Sequence, residues 1–434
     1  MKLKLILLFV LCALCLPVDG QTTAAAASEK PKSDEAELRR QAFEKVWSTV
    51  NEKHYDKTFG GVDWKRVRAE YEPKALAAKS ADEFHGVLRR MLGELKLSHF
   101  GIFPPAPAVE TNQPAAAGGI TGAHLKMIGA QPVVFRVEKD STAAKSGLRP
   151  GFAIEKINGR PVAEILASLE KSLAGRQMSE AYKQVYREML LAGQLEGRPG
   201  ARVELEALNA KNERQTFNVE LYAANREMSQ AFGNFPPQEI IFESRRLENN
   251  IGYIHFNIWV IAQMPKLRAA IREFADAKGI IFDLRGNPGG IGGMATGIAG
   301  LLMSEQSTLG SMTGRENEQK FIIYPQSDPF KGKIVVLTDY GSASTSEIFA
   351  AGLQENGRAH VVGERTAGAV LPSVFDRLPT GAMFQYAIAD YKSPRNVLIE
   401  GRGVEPDTIV KLTREALIEG RDPQLEAAIG KISN

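Results

Sequence analysis

Cysteine is almost missing from this chain: of 434 residues two are Cys, Cys12 and Cys15, and both fall within the first twenty. Long apolar runs are missing as well, since Leu5 to Leu16 stops short of the roughly 18 residues that a membrane-spanning helix needs. Lys2 and Lys4 ahead of that run, with small or turn-forming residues from Val18 to Gly20 behind it, read as a secretory signal peptide over residues 1–20. Its cleavage would remove the C-x-x-C pair and leave a mature chain with no thiol, no disulfide, no Cys nucleophile and no stable membrane span. The location expected is periplasmic or secreted. Blocks of like charge are absent and the net charge is only +3, so nucleic acid is not an expected partner. H-E-x-x-H, EF-hand and Walker patterns are absent too; neither a metal nor another cofactor is implied.

What is present is enough chain for more than one core, because single cores stop growing near about 250–300 residues. Residues 21–35, rich in Ala, Ser, Thr and Lys without periodicity, read as a linker. From 36 to 105 the apolar positions recur at helical intervals, first Phe43, Val46, Trp47 and Val50, then Phe84, Val87, Leu88, Met91 and Leu92. That is a helical N-terminal domain, ended by the prolines of "LKLSHFGIFPPAPA". Over 114–223, β-branched runs alternate with Gly, Asn-Gly and Pro turn signals, as in "VVFRVEKDSTAAKSGLRPGFAIEKINGRPV". A helical stretch near Glu164 to Leu195 interrupts this β-rich domain, and "ARVELEAL" with "RQTFNVELY" reads as a closing hairpin. From 239 to 434 strands alternate with helices, which implies a largely parallel α/β sheet. Two turns of that section, "DLRGNPGG" (283–290) and "DYGSAS" (339–344), fall at the carboxyl ends of strands, where such sheets place their ligands.

Ser344 follows the strand "KIVVLTD", opens a helix and has Glu347 three residues on. One reading is a capping box. The other is a nucleophile, since the free N–H groups and positive end of a helix also stabilise an oxyanion forming beside that hydroxyl. A serine needs a base to take its proton, and His99 in "LSHFGI" stands out by lying at a domain edge rather than in a helical stripe; its plainer reading is a hydrogen-bonded structural histidine. The glycines of "DLRGNPGG" permit the close backbone approach that oxyanion donors require. Gly290, Gly292 and Ala295 also spell G-x-G-x-x-A between a strand and a helix, a dinucleotide fingerprint that lacks its acidic partner at the end of the next strand.

With those residues in view, "DLRGNPGG", "GSASTSEIFAAGLQENGRAHVVGERTAG" and "IEGRGVEPD" resemble, in order and spacing, the core motifs of the C-terminal processing and tricorn-core serine peptidases, a family that includes retinoid-binding relatives. The resemblance covers nearly the whole mature chain and implies an α/β peptidase core preceded by a helical domain and a PDZ-like β domain. Phe152 stands where the family's PDZ domains usually carry Asp after "PG", a change expected at a surface turn. By position the resemblance makes Ser344 the nucleophile, with Gly289 or Gly290 and Thr345 supplying the oxyanion N–H groups. The processing branch has a lysine base just after "G-E-x-T-x-G", where this chain has Ala369. The tricorn-like branch uses a Ser-His pair instead, which "KLSHFGI" resembles through Ser98 and His99. That branch has a glutamate ahead of "G-V-x-P-D", matched by Glu400, with Glu405 a neighbouring candidate. The function implied is an exported serine endopeptidase acting on peptides or proteins through an acyl-enzyme, with PDZ recognition of polypeptide C-termini. The alternative is a non-catalytic peptide- or lipid-binding protein that keeps the fold.

Overall fold

The computed structural model describes residues 32–104, 118–173 and 179–434; the expected signal peptide, both cysteines and the linker up to residue 31 lie outside them. The first helix, Lys32–Lys53, begins inside the range expected as linker. Its opening turn, Lys-Ser-Asp-Glu, carries no apolar stripe from which a helix could be read.

Three helices, Lys32–Lys53, Trp64–Leu76 and Ala81–Gly93, form the N-terminal unit. Asp63 and Ser80 cap the second and third by accepting from the N–H groups of Arg66 and Glu83. Their buried stripes, among them Phe43, Phe84, Leu88 and Met91, do not close on themselves. The same core takes in Leu378, Ala382, Phe384 and Tyr386 from a hairpin more than 270 residues further along the chain. The strand Gly101–Phe103 seals that union by pairing antiparallel with Met383–Ala387, Ile102 opposite Phe384. The helical segment is therefore fused to the α/β core, and long-range strand pairing of this kind leaves no local periodicity to read.

Residues 118–223 contribute a sheet in which Ala123–Ile128 is an edge strand beside Gln131–Val137, followed by Ala153–Ile157 and the hairpin of Arg202–Leu208 with Arg214–Glu220. Two helices, Val162–Leu173 and Glu180–Gly193, accompany it. Phe152 is not at an exposed turn: it is 9% exposed and sits 5.8 Å from the Phe217 ring, where an Asp would be desolvated without a partner.

A six-stranded sheet runs in the order Phe242–Leu247, Ile251–Phe256, Gly279–Asp283, Lys333–Thr338, Ala359–Gly363, Thr408–Ile409, all parallel except the first strand. Both faces are covered. Ile280, Phe282, Ile334 and Val336 point into the core shared with the helices Gln263–Glu273, Gly292–Ala299 and Thr345–Glu355, while Ile281, Val335 and Leu337 meet the C-terminal helix Pro423–Ser433. Double burial explains why these strands read as continuous apolar runs rather than alternations. Because Gly279–Asp283 and Lys333–Thr338 are parallel neighbours, the turns that follow them leave the same end of the sheet side by side.

Candidate active site

Those two turns are laced together. Ser342 Oγ donates to the Leu284 carbonyl at 2.7 Å, Ala343 N–H and Ser346 Oγ to the Asn287 carbonyl at 3.0 Å each, and Thr345 Oγ1 to the Gly290 carbonyl at 2.9 Å. The result holds Ser344 at φ 53°, ψ −118°, a positive-φ conformation uncommon for a residue with a side chain. Strain of this kind is held by its surroundings and concentrates at working sites. Capping-box geometry is present, but its short bonds use the main chain. Glu347 N–H donates to the Ser344 carbonyl at 2.8 Å and Ser344 N–H donates to Glu347 Oε2 at 3.1 Å.

Glu347 is fully buried beneath this turn and accepts from Thr366 Oγ1 at 2.5 Å and from the N–H groups of Gly368 and Ala369 at 2.8 and 2.9 Å. Burial pushes its carboxyl up to about 7. Its spacing from Ser344 implies only a capping role; its part in fastening the 366–369 segment depends on contacts no spacing rule reports. Ala369, where a lysine base would stand, is buried and offers its carbonyl to Ser344 N–H at 2.8 Å.

Of the two candidate glycine donors, Gly289 is committed elsewhere: its N–H donates to Asn287 Oδ1 at 3.0 Å, which makes it a spacer rather than the expected donor. A Cβ on Gly289 would lie 2.6 Å from Ser344 Cβ, so only glycine permits the approach. The N–H groups of Gly290 and Thr345 keep no protein partner among the described residues and flank Ser344. Asn287, fully buried and anchored by Nδ2 to the Phe256 carbonyl at 2.8 Å, was missed in the sequence, although it sits inside "DLRGNPGG".

On the other flank, Ser98 and Glu400 meet across 302 positions of sequence. Ser98 N–H donates to Glu400 Oε1 at 2.8 Å, and Ser98 Oγ lies 2.9 Å from Glu400 Oε2 and 2.7 Å from His99 Nδ1. With the Ser98 hydroxyl donating to Glu400 Oε2, His99 Nδ1–H donates to Ser98 Oγ and Nε2 is left bare to accept a proton. Burial pushes His99 down to about 4 and raises Glu400 above the usual carboxylate range. Glu405 lies outside this chain of bonds, paired with Arg365 and 47% exposed.

The two halves touch one segment at consecutive residues: Ser344 N–H reaches the Ala369 carbonyl, and Glu400 Oε2 accepts from Val370 N–H at 3.0 Å. Within this arrangement no hydrogen bond joins Ser344 Oγ to His99. Ser344 opens into a cleft of about 500 Å³ that includes Phe321, Ile348 and Val370, whereas His99 faces a cavity of about 460 Å³ with Tyr182, Tyr186 and Gly368.

A strained serine at a helix start, two unspent amides beside it and, in a neighbouring cavity, a carboxylate-linked imidazole are parts that a serine hydrolase uses. Comparison with known proteins narrows this. Residues 250–410 match peptidase family S41 and residues 35–93 match the tricorn protease C1 domain. The carboxyl-terminal-processing protease of Synechocystis sp. is 25% identical over 394 residues, 88% of this chain and 84% of that protein. Among solved structures, mature CPAF complexed with lactacystin superposes with a TM-score of 0.62 at 14% identity, covering 91% of this chain and 98% of that one. The photosystem II D1 C-terminal processing protease gives 0.57 at 20% identity, over 91% and 97%. The chain is a serine peptidase, and its residues 250–410 are similar to peptidase family S41.

Proposed function

We propose that this peptidase is an exported endopeptidase in which Ser344 attacks the scissile carbonyl and His99 takes its proton, then returns it to the leaving amine. Glu400, acting through Ser98, holds the imidazole in the accepting tautomer and offsets the charge it gains. Gly290 and Thr345 N–H groups receive the oxyanion. The Glu400–Ser98–His99 chain carries this reading: it commits a buried carboxylate, a hydroxyl and an imidazole to one line, and its carboxylate end accepts from Val370 N–H, next to the Ala369 carbonyl that holds Ser344 N–H. No hydrogen bond joins the nucleophile and the base in this arrangement, and the mechanism requires that contact to form in the substrate complex, where such bonds commonly tighten. Export rests on the signal-like first twenty residues, and the domain division on the PDZ-like pattern of 114–223.

Strand addition of a polypeptide C-terminus to Ala123–Ile128 is the PDZ role proposed. In this conformation that edge is taken at Met127, whose N–H donates to Glu188 Oε1 at 2.6 Å and to Tyr340 Oη at 3.1 Å. Binding there therefore has to displace both side chains.

The test is cleavage of fluorescently labelled casein together with fluorophosphonate labelling. Ser344→Ala and His99→Ala should each lower kcat by at least about a thousandfold with circular dichroism unchanged, and only Ser344→Ala should lose the adduct site outright. Normal turnover in either variant sinks the assignment.

A further inference from the structure

Lys126 belongs to the edge strand Ala123–Ile128 of the second unit, yet its ammonium is buried against the α/β core, where it pairs with Asp339. Lys126 and Asp339 are 10% and 1% exposed. An ion pair this dry does little for stability, because desolvating both charges cancels most of their attraction. What it does instead is fix position. Asp339 Oδ2 faces the lysine, and Oδ1 accepts from Gly286 N–H at 2.9 Å and from Gly341 N–H at 2.8 Å. Gly286 belongs to the turn that ends in Gly290, and Gly341 to the turn that ends in Ser344. One carboxylate thus bridges the two turns that supply the oxyanion amides and the nucleophile, and its other oxygen is held from a different unit.

The neighbouring residue repeats the pattern. Tyr340 Oη bonds the Met127 carbonyl at 3.0 Å and also meets Glu188. The charged groups around the pair are Glu188, Arg285 and Glu364. Burial disfavours the lysine's charge, but the Asp339 and Glu188 carboxylates outweigh this and hold the ammonium above its ordinary value.

We propose that Lys126 is a positioning residue for the peptidase reaction, holding Asp339 so that its other oxygen keeps the 283–290 and 339–344 turns in register and the Gly290 and Thr345 amides aimed at one point. The proposal rests on the assignment of Ser344 and those amides given above. It makes the second unit part of the catalytic geometry, whatever it also binds.

Lys126→Met keeps the side-chain volume and removes the charge. In the full chain, kcat on labelled casein should fall about tenfold to a hundredfold, less than the roughly hundredfold to thousandfold lost when an oxyanion donor is removed outright, with KM changed by less than about threefold. Lys126→Met combined with Asp339→Asn removes both charges and keeps an oxygen for the two glycine N–H groups, so kcat should return to within about threefold of the parent. Lys126→Met with Asp339→Ala has no acceptor and should stay slow. A second readout is independent of turnover: amide hydrogen exchange at Gly286 and Gly341 should quicken in Lys126→Met and slow again when Asp339→Asn is added. A Lys126→Met enzyme within about twofold of parental kcat and unchanged in exchange overturns the proposal, as does equal recovery by the two double variants. If the parent shows neither turnover nor Ser344 labelling, the nucleophile assignment fails while the exchange result still decides the role of Lys126.

Discussion

At the scale of the residue, the proposed mechanism turns on the His99 imidazole, because its environment sets the pH at which it could act as the base proposed. An ordinary imidazole, near 6.5, would give activity that rises across roughly pH 6 to 7.5, and the bare sequence supports no other expectation. Burial moves the ring down to about 4. The neutral, accepting form then dominates well below neutrality, so the acid limb of kcat/KM should lie near pH 4. The same shift has a stability consequence. Between about 4 and 6.5 the unfolded chain binds the His99 proton more tightly than the folded one, so stability is complete above 6.5 and is lost as pH falls toward 4. A change near pH 7 has a separate source in Glu347, pushed up to about 7 under the Ser344 turn, and should vanish in Glu347→Gln. An acid limb that stays in the ordinary imidazole range in Glu347→Gln would show that the working ring is solvated and that the buried ring is not that of the active state.

At the scale of the element, the strand Gly101–Phe103 ties the segment that carries the proposed base, His99, to the α/β core. His99 lies two residues ahead of that strand, and Ile102, 2% exposed, locks it against Phe384 in the shared core. Ile102→Ala should cost about 3 kcal/mol, in the usual range for truncating a buried aliphatic side chain, and should lower kcat even where the protein remains folded. Leu205→Ala, fully buried in the 118–223 sheet, should cost a similar amount of stability and leave kcat within about threefold. Denaturant unfolding paired with turnover below the transition separates the two; equal kcat losses would mean that general softening, not the placement of His99, sets activity. This strand also marks the limit of what the sequence reveals. Parallel strands, helices and the motif turns were legible because each carries its own periodicity or turn chemistry: "KIVVLTD" and the helix Thr345–Glu355 are visible from the local order of apolar and small residues. Ser98, His99, Ser344 and Glu400 could be singled out by motif, and the structure brings the first two together with Glu400. The loss of Gly289 as a donor, the fourfold use of Glu347 and the Lys126–Asp339 bridge depend on which N–H faces which oxygen after folding, and no one-dimensional pattern encodes that.

At the scale of the whole molecule, the question is which pieces hold a core of their own. The helical unit does not: four of the buried residues in its cluster, Leu378, Ala382, Phe384 and Tyr386, come from the distant hairpin, and Lys45 reaches back to the Arg377 carbonyl at 2.8 Å. The 118–223 unit does: Val134, Ile154, Leu205, Val219 and their neighbours form a cluster drawn wholly from that segment. It is bolted to the rest at defined points. Arg414 donates to the carbonyls of Gly151 and Asn209 at 2.8 and 2.6 Å, and Gly151 packs so tightly against Ile418 that a Cβ there would lie 2.5 Å from its side chain. Hydrophobic burial is the main term that offsets chain entropy, so a segment lacking part of its core should not fold when excised, whereas one that owns its core should. A fragment spanning 118–223 is therefore expected to unfold cooperatively with heat and to show dispersed amide resonances. A fragment spanning 32–104 should show weak helicity without a cooperative transition, and should gain one when the 373–387 hairpin is appended through a flexible linker. Cooperative unfolding of 32–104 by itself would mean that its helices close their own core, and the placement of His99 would then depend on docking between two preformed bodies rather than on a core they build together.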